Sequence, residues 1–261
     1  QHARDRRAVP LGAQWLLGKH LNRPHGPTHN PSNSTILAVK PSQTPLRIAV
    51  IGAGLGAPPH LKSLQDLADQ VDLAWLVGRD SNRLAKVATP SNTRKTTRLD
   101  EVLQDTSVQA ALVLTPPNTH LDIVQQLARA GKHVLVEKPL EVTVERSQAL
   151  VQICEAHGVL LAVMLQHRLR AGAMALKALI EQGQLGQIIS AHASIRWWRP
   201  QSYYDEPGRG TWHRDGGGVL ITQAIHTIDL LMHLIGKPQQ VTGLVSTSPL
   251  QQMECEDCAA A

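Results

Sequence analysis

The residues Gly52-Ala53-Gly54-Leu55-Gly56-Ala57 follow the apolar stretch Leu46–Ile51 and open a stretch of helical character that continues to about Ala68. This is G-x-G-x-x-A set between a strand and a helix, an arrangement that seats a pyrophosphate. Gly52 permits the tight turn, Gly54 lets the backbone approach the phosphates, and Ala57 lets helix and strand pack closely. Leu55 and Gly56 complete the loop at the helix N-terminus, where free amides favour an anion. Glycines of this spacing also mark ordinary turns, so the weight of the reading rests on what surrounds them.

The end of the second strand bears on the ribose of such a nucleotide. The chain reads Val77-Gly78-Arg79-Asp80. An acid at this point contacts a 2′-hydroxyl, whereas an arginine accepts a 2′-phosphate. Arg79 tilts the expectation from NAD(H) toward NADP(H), and Asp80 stays open as a ribose partner.

These loops need a scaffold. Apolar strands at 71–77, 108–115, 133–136 and 160–165 alternate with helical stretches at 81–88, 120–130 and 144–157. Such alternation predicts an α/β fold with a doubly wound parallel sheet covered on both faces. Ligands of such sheets sit at the C-terminal ends of the strands. The crevice should therefore gather the glycine loop, Arg79 and Asp80, Thr115, Pro116, Asn118 and His120, and Glu137 and Lys138 as cofactor contacts.

Composition narrows the classes. The chain has 261 residues, 42% hydrophobic and 18% charged, with a formal net charge of +5. Residues 1–46 hold six Lys/Arg and one Asp, and the remainder carries twenty bases and twenty acids. The charge excess thus belongs to a tail, and no nucleic-acid face is expected. Residues 1–45, rich in Pro, His, Asn and Ser, are expected to be mostly disordered. Arg6-Arg7 ahead of Leu11 to Leu17 gives only a faint export signal, because Lys19 and His20 interrupt it. No apolar run approaches the roughly 20 residues that span a bilayer, so no membrane segment is expected. Three cysteines fit a reducing, cytoplasmic compartment, and the lone pair Cys255/Cys258 lacks the second ligand pair of a zinc site, so no metal is expected.

Glu137-Lys138-Pro139 after a strand, preceded by Thr115-Pro116-Pro117-Asn118-Thr119-His120 and followed by Gly216-Gly217-Gly218-Val219-Leu220 through His226 and Asp229, resembles the glucose-fructose oxidoreductase and inositol dehydrogenase family, Gfo/Idh/MocA. The resemblance runs from about Leu46 onward. It implies an N-terminal Rossmann domain at 46–165 and a C-terminal α/β domain at 166–261 with an open, mostly antiparallel sheet. The chain stops in what reads as the opening of a strand, so that second domain is expected to be truncated. The resemblance further implies NAD(P)-dependent oxidation or reduction of a carbinol on a sugar, inositol or related cyclic polyol, and a homo-oligomer if the sheet is complete.

Carried over residue by residue, the resemblance makes Lys138 and His226 the catalytic candidates. Hydride leaves a carbinol only as the hydroxyl proton departs, so a base must sit about 3 Å from that oxygen. An unperturbed histidine titrates near neutral pH, which assigns acid-base work to His226 and polarisation of the substrate oxygen to Lys138, with the reverse assignment open. Family members commonly have an aspartate four residues before that histidine; here it is Thr222. Thr222, His226 and Asp229 share a helix face, and Asp229 reads as structural. The aromatic and basic cluster between Trp197 and Arg214, together with Arg168 after the 160–165 strand, suits sugar faces, hydroxyls and carboxylates, with Arg168, Tyr204, Trp212 and Thr222 as candidate substrate contacts. Two other readings stay open at this level: a nucleotide-binding sensor or scaffold without turnover, and glycoside cleavage through transient oxidation.

Overall fold

The computed structural model describes residues 44–261, so the expectation for the tail lies almost entirely outside the described residues. Six strands, β1 (Leu46–Ile51), β2 (Val71–Val77), β3 (Arg94–Thr96), β4 (Ala110–Val113), β5 (His133–Val136) and β6 (Leu161–Val163), form one parallel sheet in the order β3-β2-β1-β4-β5-β6. The chain winds outward from β1 in both directions, which is the doubly wound order with its crevice where the winding reverses. The helices α1 (Ala57–Asp66), α2 (Ser81–Lys86), α3 (Leu99–Gln104), α4 (His120–Arg129) and α5 (Val144–Ala156) form the connections.

The apolar strands leave both faces of the sheet to be buried. Ala49 and Ile51 join Val102, Val124, Leu127, Val136 and Leu150 in one core. Ile48 and Val50 join Leu67, Leu84, Leu112, Leu135 and Met164 in the other. Alternate residues of β1 feed opposite layers, as the period of two requires. Gly52 ends β1 with φ +112, and an added Cβ would lie 2.9 Å from the carbonyl carbon of Leu114. The turn can therefore lie against β4 only because this residue has no side chain.

Strand β3 and helix α3 were not expected from the sequence. Residues Arg94–Thr96 carry no apolar pattern, and the strand is held by side chains instead. The Arg94 guanidinium lies 4.2 Å from the centroid of the Trp75 ring and donates to Asp105 Oδ2 at 2.7 Å, and the Trp75 indole donates to the same oxygen at 2.8 Å. The Ser107 hydroxyl and the Trp75 indole, opposed by partial burial and helped by the Ser107 amide and Arg94, hold the Asp105 carboxyl at about 2.

Beyond β6 the chain forms a short 3-10 turn (Gln166–Leu169), α6 (Ala171–Glu181), α7 (Gln201–Tyr204), α8 (Trp212–Asp215), a π-helical turn (Leu220–Ala224) and α9 (Ile225–Ile235). The sheet of this half is small: β7 (Leu244–Ser246) and β8 (Cys258–Ala260) pair antiparallel. The mainly helical segment Trp212–Ile235, 24 residues, is longer than any apolar run anticipated and meets the length and composition of a membrane crossing. Its Asp229, however, is buried and ion-paired with Arg168 from the turn after β6, which ties the segment to the body of the fold.

The depressed Asp105 carboxyl sets a pH dependence. Its stabilisation is present above the unfolded carboxylate pKa near 4 and is lost as pH falls toward 2. Urea unfolding of Asp105→Asn should therefore show lower stability than wild type at pH 7 and a smaller further loss between pH 4 and pH 2. Parallel curves for the two proteins across that range would contradict the assignment.

Candidate active site

The C-terminal ends of five strands open into one crevice of about 800 Å³. Its walls include Gly52, Gly54, Leu55 and Gly56 after β1, Gly78, Arg79, Asp80 and Arg83 after β2, Thr97 after β3, Thr115, Pro116, Pro117 and Thr119 after β4, and Glu137, Lys138 and Pro139 after β5. From the later half come Tyr203, Glu206, Arg209, Arg214, Asp215 and Thr222. The loops expected from the sequence do converge, and Arg83 and Thr97 are additions that the sequence reading missed.

At the glycine loop, Gly56 caps α1, with Pro58 and Pro59 inside the first turn. Those prolines have no N–H, so the amides of Leu55 and Gly56 are the donors remaining near the turn; the Ala57 amide already donates to Gly54 O at 3.1 Å. A Cβ on Gly54 or Gly56 would meet nothing within 4 Å, so these positions leave open space for a ligand. Ala57 itself is buried against the fold. After β2, Asp80 Oδ1 accepts the amides of Asn82 and Arg83 and so caps α2.

Lys138 stands at the centre. Its Nζ donates to the carbonyl of Thr222 at 2.6 Å, across 84 residues of chain. Burial pushes the Lys138 ammonium below its ordinary value; Glu137 opposes this, and Arg209 and Arg199 add to it. Glu137 is itself braced, with Oε1 2.8 Å from His60 Nε2 on α1 and Oε2 accepting the Lys138 amide at 2.9 Å. Burial works to raise the Glu137 carboxyl, but His60 and Lys138 outweigh it and leave the group below the usual range. The Lys138–Pro139 peptide is cis.

His226 lies one turn beyond Thr222, buried, its ring stacked on His167 with centroids 4.8 Å apart at 26°. Its Nδ1 is buried without a hydrogen-bond partner among the described residues. Burial, then the charges of Lys138 and His167, push this imidazole down to about 4. The Thr222 hydroxyl donates to Gly218 O at 2.7 Å, so its carbonyl, and not its side chain, meets Lys138.

Other expected residues lie behind the wall. His120 is sealed, with Nδ1 3.0 Å from Leu140 O and Nε2 2.9 Å from Thr115 O, and so links two crevice loops instead of lining them. The Asn118 carbonyl accepts from Arg146 Nη2. Arg168 is taken up by Asp229, Nε donating to Oδ2 at 2.6 Å and Nη2 to Oδ1. The Tyr204 hydroxyl accepts from Gln223 at 3.4 Å, while its neighbour Tyr203 lines the crevice. Trp212 is half exposed outside it. The sequence reading also missed Glu141, a wholly buried carboxylate held by Arg146 and by the amides of Leu121 and Val142. His60, Glu141 and Arg146 are the braces of the Lys138 loop.

The start of the His226 helix is capped from far away. Glu256 Oε2 accepts the Gly218 amide at 3.0 Å, its Oε1 accepts the Leu220 amide at 3.1 Å, and its own carbonyl accepts the Val219 amide at 2.9 Å. An added Cβ on Gly218 would lie 1.8 Å from that carbonyl oxygen.

Residues 46–165 match the family described as oxidoreductase family, NAD-binding Rossmann fold, and residues 173–261 match the GFO/IDH/MocA C-terminal domain. The chain belongs to the Gfo/Idh/MocA oxidoreductase family. It is 31% identical over 222 residues to an uncharacterised oxidoreductase of Schizosaccharomyces pombe, covering 82% of this chain and 58% of that protein. It is 26% identical over 214 residues to the NADP(+) scyllo-inositol 2-dehydrogenase of Bacillus subtilis, covering 81% and 58%. Among solved structures it is similar to the WlbA dehydrogenase from Bordetella pertussis in complex with NADH and UDP-GlcNAcA, with a TM-score of 0.77 and 31% identity over 82% of this chain and 62% of that one. This Gfo/Idh/MocA chain thus spans just under three fifths of the length of the curated relatives it matches.

In this Gfo/Idh/MocA chain, the Glu256 cap can be tested directly. Glu256→Ala leaves buried amides unpaired and should cost about 1–3 kcal/mol in urea unfolding. Gly218→Ala should cost more, because a backbone carbonyl must move. An unchanged Gly218→Ala midpoint would show that the turn is not under this constraint.

Proposed function

We propose that this chain binds a nicotinamide dinucleotide along the strand ends, NADP(H) in preference to NAD(H), and transfers hydride to or from a carbinol of a sugar, inositol or related cyclic polyol. The observation that carries this reading is a half-buried lysine, Lys138, lining the crevice at the end of β5 with its ammonium lowered by burial. The residues fit the cofactor. Gly54 and Gly56 leave open space beside the amides of Leu55 and Gly56, which would hold the pyrophosphate. Gly78 offers no side chain to a ribose, Asp80 commits one of its two carboxylate oxygens to two helix amides, and Arg79 and Arg83 line the same end of the crevice as partners for a 2′-phosphate.

The bound nicotinamide supplies the hydride acceptor or donor. Lys138 takes the carbinol proton during oxidation and returns it during reduction. Burial favours its neutral form, and the Thr222 carbonyl fixes the nitrogen without supplying a negative charge that would hold the proton. His226, pushed down to about 4, is neutral at physiological pH and serves as a hydrogen-bonding group instead of a proton store. The expected roles of the two residues are thereby exchanged. The NADP(+) scyllo-inositol dehydrogenase among the relatives supports the cyclic polyol class.

Two experiments test the reading. Fluorescence titration should give tighter binding of NADPH than NADH, with Arg79→Ala losing more affinity for NADPH; equal losses for both cofactors would remove Arg79 as the selector. Lys138→Met should lower kcat at least about 100-fold with cofactor binding retained. Oxidation by the wild type should rise with pH along one limb, because the base works deprotonated, with a midpoint below the lysine value near 10.5. No second limb should appear between pH 6 and 8, since His226 has already lost its proton above about pH 4. A histidine-like limb near pH 6.5 that disappears in His226→Asn would return the proton to His226.

A further inference from the structure

The crevice has a second, cationic wall that the cofactor loops do not use. Arg209 Nη1 donates to the Tyr203 hydroxyl at 2.8 Å, and its guanidinium lies 4.3 Å from the centroid of that ring. Arg199 lies 5.2 Å from the same centroid. Arg209 and Arg214 share one carboxylate, Glu206, at 3.4 and 3.6 Å. Both distances exceed the roughly 2.7–2.9 Å of a charge-assisted hydrogen bond. The nearest other acid, Asp215, spends Oδ2 on the Gly210 amide at 2.8 Å and leaves Oδ1 3.7 Å from Arg214. Arg199 Nε, Arg209 Nε and Arg214 Nη1 are buried without a hydrogen-bond partner among the described residues.

Arg209, Arg214 and Lys138 line the crevice, with Arg199 adjoining them at Tyr203, and the carboxylates among them, Glu206, Asp215 and Glu137, are already engaged by protein groups; buried N–H groups are costly to leave unpaired. An anion placed here would meet several fixed, planar donors. We propose that this wall seats an anionic group, a carboxylate or a phosphate, carried by the substrate whose carbinol faces Lys138, so that the substrate is an acidic sugar or polyol and not a neutral one. The proposal rests on the oxidoreductase reading above. It assigns the arginines to substrate and not to cofactor phosphates because the field of Arg209 and Arg199 falls on Lys138 after β5, whereas the glycine loop and Arg79 follow β1 and β2.

Calorimetric titration of the chain with D-glucuronate, D-glucose 6-phosphate and D-glucose, with and without saturating NADPH, tests this. At least one acidic sugar should bind about tenfold or more tightly than glucose, and which one does so identifies carboxylate or phosphate. Arg209→Gln and Arg214→Gln should each abolish that preference while leaving the NADPH titration unchanged. Glu206→Gln, which removes the competing carboxylate, should strengthen the acidic sugar, a gain that a folding defect does not produce. Equal binding of all three sugars, no binding of either acid, or an intact preference in Arg209→Gln would overturn the proposal. Weakened NADPH binding in the arginine variants would also overturn it and assign the wall to cofactor phosphate. Absence of NADPH binding in the wild type would strike at the oxidoreductase reading, and the titrations without cofactor would still decide the anion wall.

Discussion

One hydrogen bond, from the Lys138 ammonium to the Thr222 carbonyl, links the end of β5 to the turn that leads into the His226 helix. A lysine withdrawn from water is expensive, and here a neutral carbonyl dipole offsets part of that cost without neutralising the charge. The carbonyl belongs to a π-helical turn, where the regular ladder of helix hydrogen bonds is shifted, a common device at functional sites. The same positive charge reaches His226 and helps keep its imidazole unprotonated. Position and protonation in the two halves are therefore coupled through one nitrogen atom.

Everything around that bond resists movement. The sheet fixes the end of β5, and cores on both faces fix the sheet. Glu137 is clamped to His60, and Glu141 to Arg146, on either side of the lysine loop. Breaking either contact leaves a largely buried carboxylate without its partner, so both penalise alternative placements of the loop. His167 stacked on His226, and Arg168 paired with Asp229, carry the same bracing into α9.

What the sequence showed and what it hid divide along the distance over which each contact acts. The glycine loop and the alternating strands were legible because local spacing carries them, and Glu137-Lys138-Pro139 was legible through its resemblance to the family's motif. Strand β3 was not, because three polar residues depend on Trp75 and Asp105 for their place. Arg168 looked free to meet substrate until a carboxylate 61 residues away claimed it. Glu256 gave no signal at all, since an acid near a cysteine pair reveals nothing about amides 38 residues earlier. His226 was placed on the correct helix, but its depressed titration arises from burial and from Lys138 and His167, none of which is a property of its neighbours in the chain.

The long-range cap has a consequence for synthesis. The last strand of the parallel sheet ends at Val163, so the nucleotide-binding half can close while the ribosome is still translating. The amides of Gly218, Val219 and Leu220 have no acceptor from Glu256 until that residue has been made. At about 5–20 residues per second, the interval between the two events is on the order of 5–20 s. During that time a nascent chain would present the folded glycine loop and the end of β5 beside an uncapped His226 helix, so one side of the crevice takes shape before the other.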